Sequence, residues 1–393
     1  MKNRTLYFFS RIALSFFIFV LLHGFYTGII TRATELDSLM YHIPIAKWYL
    51  AGKIFSYPAS SILHRYFPGA SEGILAVFML LHIPLNLYNV LAIFCLFLAA
   101  YNLGKKAGLT CDMAILLSVG ISLSTGITRW INVQIVDIWL AVFYTYSLSL
   151  VLKPNKKFSY FIKLGIASGM LIGTKYSGPL YGTVLVLFFG KKILPKITMK
   201  RFIGFILPVS IFGIFWYIRN YVITGNPFYP LAFLLFPGIK NWALEIPTWK
   251  AFITYPASMM SALINEYLSW SFLLFLLPIY MILRSKKKEK KDTNMIVFTF
   301  LSIANFLVFC LLPNGDRFQV HVSNLRYSYP VFIPLILNFF LLAKEKKIEI
   351  FAAILVLANA MFSIQVAYHP KLILVYIILL LLIWRKTILF TNT

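Results

Sequence analysis

The stretch MKNRTLYFFSRIALSFFIFVLLHGFYTGII, residues 1–30, decides the class of fold. Lys2, Arg4 and Arg11 lead into a run from Ile12 to Ile30 that contains no Lys, Arg, Asp or Glu. A helix needs about 20 apolar residues to cross a hydrocarbon core of about 30 Å. This run has that length, exceeds the core of a secretion signal, and is not followed by a clear small-residue cleavage site, so it reads as a retained anchor. The same texture continues beyond it. Of 393 residues, 60% are hydrophobic and only 12% charged, against roughly 25% charged in a soluble globular chain. A soluble multidomain protein is thereby excluded.

The net charge of +25, from 37 Lys and Arg against 12 Asp and Glu, would suggest nucleic acid in a soluble protein. Here the cations fall in short runs between apolar blocks: Lys105–Lys106, Lys153–Lys157, Lys191–Arg201, Arg284–Lys291, Lys344–Lys347 and Arg385–Lys386. With the amino terminus in the cytoplasm, all of these runs lie inside, as the positive-inside rule requires. The charge therefore reports membrane topology, with no nucleic acid partner. Cys95, Cys111 and Cys310 are too few and too scattered for a disulfide framework or a zinc knuckle. No phosphate-binding GxxxxGK loop or dinucleotide fingerprint is present.

The expected fold is all-α, a polytopic protein of about twelve transmembrane helices (11–13), running from Leu6–Ile30 to Leu372–Trp384 as one integral membrane domain, 1–393. Two external segments interrupt it, 31–86 and 224–266. Gly73–Leu85 is apolar, but counting it as a span would put Lys105 and Lys106 outside and invert every later loop. It is expected to be an interfacial or re-entrant helix in the first external loop.

Charged groups within or beside spans are costly and mark candidate sites. On this map they gather at the outer face. In ELDSLMYHIP, Asp37, Tyr41 and His42 stand at i, i+4 and i+5, so Asp37 and Tyr41 share a helix face. Two readings compete for Asp37: a base that deprotonates a hydroxyl, or the amino-terminal cap of a short interfacial helix. His42, beside Pro44, reads as a substrate contact or as a solvated interface histidine. Glu72, in YFPGASEGILA, either joins the site or begins a helix whose dipole suits a carboxylate. Asp137, in RWINVQIVDIWL, has fifteen uncharged residues after it and requires a partner, for which Gln134 and Arg129 are the neighbours in sequence.

In GIASGMLIGTKYSGPLYG, Gly165, Gly169 and Gly173 allow close helix packing, and Lys175 and Tyr176 occupy the turn that follows. Lys175 can meet a phosphate or merely reach the interface. Arg219 and Asn220, in WYIRNYVITGNPFYP, and Arg326, in NLRYSYP, close and open spans on the same face. A guanidinium there can hold phosphate through two parallel hydrogen bonds.

These stretches, in this order across roughly residues 1–235, resemble the GT-C membrane glycosyltransferases, in particular the bacterial relatives of protein O-mannosyltransferases and lipid A aminoarabinose transferases. The resemblance implies that Asp37 is the principal acid-base residue, Asp137 a second acid, and Glu72 a metal or substrate ligand. The family often carries two adjacent acids in the first loop; here Ser38 follows Asp37, and the other acid is Glu35. A divalent metal is possible on this resemblance, and metal use varies among relatives. The implied activity is transfer of a sugar from a polyprenyl-phosphate donor to a hydroxyl of a glycan, lipid or protein acceptor, outside the cytoplasmic membrane and among membrane lipids. The implied site is Asp37 and Asp137, with Glu35, Tyr41, His42, Glu72, Lys175, Tyr176, Arg219, Asn220 and Arg326 binding substrate. The competing reading is a flippase for a lipid-linked glycan. Unrelated halves and polar groups gathered at one face weigh against it.

Overall fold

A computed structural model describes residues 2–56, 63–232, 235–239, 246–286, 293–315 and 322–367. The apolar run at the amino end forms one continuous helix, α1 (Lys2–Ile30). After it, Ser38–His42 make a π-helical turn that leads into α2 (Ile43–Leu50), and α3 (Ala70–Leu80) follows. At 11 residues α3 reaches only about 17 Å, too short to cross. It falls among the shorter apolar helices.

Next come α4 (Tyr88–Lys106), α5 (Cys111–Ser122), the single turn α6 (Thr125–Thr128), α7 (Asp137–Leu152), α8 (Phe158–Thr174) and α9 (Ser177–Ile193). α10 (Met199–Val209) and α11 (Phe215–Thr224) are joined through a π turn at Ser210–Ile214. The later part contains α12 (Thr248–Thr254), α13 (Pro256–Tyr267), α14 (Ser269–Lys286), α15 (Thr293–Leu311), α16 (Tyr329–Glu345) and α17 (Glu349–Ala367). One short antiparallel ladder, β1 (Ile246–Pro247) with β2 (Pro313–Gly315), ties the segment before α12 to the end of α15.

Helix length does not confirm all twelve of the expected spans. Among the described residues five helices are long and apolar enough to cross a membrane, and α13 with α14, bent by 110°, make a sixth. Several interior helices are shorter than a full crossing: α7 has 16 residues and α8 has 17. The expected span Ile131–Leu152 loses its first six residues to a non-helical stretch that ends at Asp137. The expected span Leu372–Trp384 lies outside the described residues, as does part of the second external segment, which otherwise holds α12 and α13.

Gly165, Gly169 and Gly173 serve the packing expected of them. α8 lies against α10 and the π turn after it, and a Cβ at Gly165 or Gly173 would run into the carbonyl oxygen of Phe205 or Phe212 respectively. Backbone cannot yield as a side-chain tip can. Gly173→Ala is therefore expected to destabilise the protein by roughly 1–3 kcal/mol, the usual cost of overpacking. A lowered melting temperature in detergent would show it, and an unchanged one would mean that α8 has room to shift.

Candidate active site

α7 begins at Asp137 because the preceding chain is irregular, and its carboxylate, 1% exposed, sits at the positive end of the helix dipole. α8 ends at Thr174, and Lys175 follows in extended conformation. Its Nζ donates to Asp137 Oδ1 at 2.8 Å and lies 3.9 Å from the centre of the Tyr327 ring. Arg326 comes from the 3₁₀ turn Val322–Ser328 that leads into α16. Its Nη2 donates to Asp37 Oδ2 at 2.7 Å, and its Nε stands 3.1 Å from Asp137 Oδ2. The result is an alternating chain of four charges, Asp37, Arg326, Asp137 and Lys175. Residues from four distant parts of the sequence thereby satisfy one another.

The capping reading of Asp37 is not the geometry found. Asp37 makes no side-chain cap; Glu35 supplies it instead, accepting from the Asp37 and Ser38 amides at 2.9 and 2.7 Å and from Ser38 Oγ at 2.7 Å. The Gln134 amide donates to Ser38 Oγ at 3.1 Å, which ties the turn carrying Asp37 to the stretch before Asp137. Glu35 thus holds the turn in place of a second catalytic acid beside Asp37. Burial pushes the Asp37 carboxyl up, but the Arg326 charge and hydrogen bond outweigh it and hold the group below the ordinary carboxylate range. Tyr41, stacked on His64 with ring centres 4.9 Å apart, is raised well above the usual phenol range, by burial first and by the Asp37 charge second. It stays protonated at neutral pH and can donate.

His42 and Glu72 form a separate buried pair, Nδ1 to Oε1 at 2.8 Å. Glu72 Oε2 is buried without a hydrogen-bond partner among the described residues. These groups face a cavity of about 670 Å³ whose charged lining comprises Glu35, Asp37, Glu72, Lys175 and Arg326, while Phe67, Tyr176, Leu180 and Leu311 supply apolar wall. A volume of this size suits a drug-sized polar group with an attached apolar chain. Among the described residues no three His, Cys, Asp or Glu side chains gather as metal ligands. His42 and Glu72 offer an imidazole and a carboxylate, short of the three protein ligands of a catalytic zinc site, and we derive no step through a metal.

Three expectations about partners are corrected. Asp137 is not satisfied by its sequence neighbours: Gln134 donates to Asn86 Oδ1 at 2.7 Å, and Arg129 pairs with the buried Glu266. Its cations come from the turn after α8 and the 3₁₀ turn before α16, since Gln134 and Arg129 are engaged elsewhere. Arg219 does not line the cavity. Its Nε donates to the Ile54 carbonyl at 2.7 Å and its Nη1 to Asn220 Oδ1 at 3.1 Å, so the guanidinium serves the backbone of the first loop. Asn220 lies behind the wall too, donating to the Tyr66 carbonyl at 2.6 Å and to Tyr176 Oη at 2.7 Å; it positions Tyr176, which does line the cavity. Glu266 was passed over in the sequence, although as a lone carboxylate before an apolar run it carries the signal that singled out Asp137. Ser38 carries no such signal.

No family model and no curated protein matches the chain. Two solved structures do. ArnT from Cupriavidus metallidurans bound to undecaprenyl phosphate superposes with a TM-score of 0.58 at 15% identity over 83% of this chain and 59% of that one. The same protein in the apo state gives 0.56 at 13% identity, covering 83% and 58%. The chain thus spans about three fifths of the length of ArnT. Over the part that it covers, its fold is that of ArnT.

Proposed function

We propose that the chain transfers a sugar from a polyprenyl-phosphate-linked donor to an acceptor hydroxyl on a cell-envelope glycan, lipid or protein, at the outer face of the cytoplasmic membrane. The observation that carries this reading is the bridge Asp37–Arg326–Asp137–Lys175, of which Asp37, Arg326 and Lys175 line a cavity of about 670 Å³ and Asp137 is buried behind them. It gathers a carboxylate open to the cavity, two cations and apolar wall in one place. Undecaprenyl phosphate bound to ArnT supports the lipid carrier, and the basic loops support the orientation.

Asp37 Oδ2 is engaged by Arg326, and the other oxygen takes the acceptor proton. The acceptor oxygen then bonds to the anomeric carbon as the bond from that carbon to the phosphate oxygen breaks on the opposite side, so configuration inverts. The leaving polyprenyl phosphate takes the electron pair, and Lys175 and Arg326 stabilise its charge through the N–H groups they do not spend on carboxylates. Purified protein in nanodiscs with a matched lipid-linked sugar tests this directly. Mass spectrometry should find released polyprenyl phosphate together with glycosylated acceptor. Passage of intact donor across the bilayer without release would instead make the protein a carrier.

The pairing also sets a pH dependence. Asp37 must be ionised to act as base, and its carboxyl is held low, so activity should fall only in acid, below the ordinary carboxylate range. Arg326→Gln removes the lowering charge and leaves the burial that raises the group. The acid limb of kcat/KM should therefore move to higher pH. An unmoved limb would assign it to another group.

A further inference from the structure

A second concave surface lies at the opposite end of the bundle. α7 runs from Asp137 to Leu152, and α8 returns from Phe158 to Thr174. The site thus sits at the start of one and the end of the other, and a 16-residue helix puts their other ends about 24 Å away. There, a cavity of about 400 Å³ is lined by Lys106 from α4, by Lys157 and Lys163 at the start of α8, and by Asn102, Asn155 and Ser159. No carboxylate lines it, and none of the three lysines makes an ion pair among the described residues. Lys163 and Lys153 both bear on the charge of Lys106, so like charges converge without a protein counterion.

Of the polar groups around them, Asn102 donates to Ser149 Oγ and Tyr160 to the Leu150 carbonyl, each at 3.2 Å, while Asn155 can turn a donor to the cavity. Asn155 Oδ1 already accepts from the Lys157 amide at 2.9 Å, which leaves its NH₂ group for a ligand. Lys157 precedes α8 in extended conformation without a side-chain cap, so the positive end of the helix dipole adds to the field. Solvated loop lysines satisfy the topology rule without converging. These three, from two helices and the turn between spans, share one concavity with a helix start and the Asn155 amide donor.

We propose that this cavity binds a phosphate-bearing anion, as a phospholipid headgroup or as free phosphate, on the face opposite the candidate active site. The inference rests on the membrane fold and not on the transfer reaction. Phe158, exposed beside the lysines, offers apolar surface to an acyl chain.

The test is native mass spectrometry of the full chain released from detergent, with phosphatidylglycerol, phosphatidylcholine or inorganic phosphate added. The protein should retain phosphatidylglycerol over phosphatidylcholine, and Lys106→Gln/Lys163→Gln should weaken that retention roughly fivefold per lysine removed. Lys106→Arg/Lys163→Arg, which keeps the charge, should restore it. Retention that survives excess inorganic phosphate assigns the site to a lipid headgroup; displacement by phosphate, lost in the Gln variant, assigns it to the free anion. Equal phosphatidylglycerol retention and equal phosphate sensitivity in the protein and its Gln variant would overturn the proposal.

Discussion

Asp37→Asn is expected to lower sugar transfer by about 10²- to 10⁴-fold, the typical contribution of a general base, while donor binding persists. Asparagine keeps the shape and can still meet Arg326 Nη2 through its carbonyl oxygen, so the bridge to Asp137 stays closed. It cannot take a proton at neutral pH. Bound donor and transferred sugar must be scored separately, since loss of both would indicate a collapsed site. Asp137→Asn should lower transfer as well, through the loosening of Lys175 and Arg326. Full transfer by folded Asp37→Asn protein would remove Asp37 from the mechanism.

The second large effect is on stability. Arg326 is 5% exposed and Asp137 1%, and the guanidinium is shared between two carboxylates. Arg326→Leu leaves Asp137 to Lys175 alone and Asp37 without its cation. Removing one partner of a buried ion pair costs about 3–5 kcal/mol, so the melting temperature in detergent should fall sharply. A double variant, Arg326→Leu with Asp137→Leu, should lose less than the two single variants summed, because the unpaired buried charge disappears with its partner. Strict additivity would show that the two side chains do not depend on each other.

Much of this was legible in the residues. Hydropathy marks α1 and the later apolar helices because a bilayer imposes length and composition on each crossing, while only the alternation of the basic loops speaks against a span at the apolar block Gly73–Leu85. The glycines of α8 announce a close helix contact. The rule that an isolated carboxylate in an apolar run needs a partner selects Asp137 correctly. It does not say which partner: Arg326 meets Asp37 across 289 positions, and no spacing encodes such a meeting. Sequence proximity misled for Gln134 and Arg129, and position at a span end misled for Arg219. The twelve-span count is not confirmed by helix length, because helices buried within a bundle need not be as long as helices facing lipid, so length alone does not count every crossing.

The bridge also constrains the order of biogenesis. Asp37 and Asp137 emerge from the ribosome well before Arg326, and their cation arrives only with the turn that precedes α16. Until then Lys175 alone can neutralise Asp137, and Asp37 has no counterpart. A nascent chain halted between α9 and α16 would hold an incompletely compensated acidic pair at the edge of the bilayer, a clear mark for membrane quality control. Truncations ending before the Arg326 turn are therefore expected to be degraded faster than the full chain, even though every earlier helix has been synthesised, and pulse-chase labelling in cells would show it.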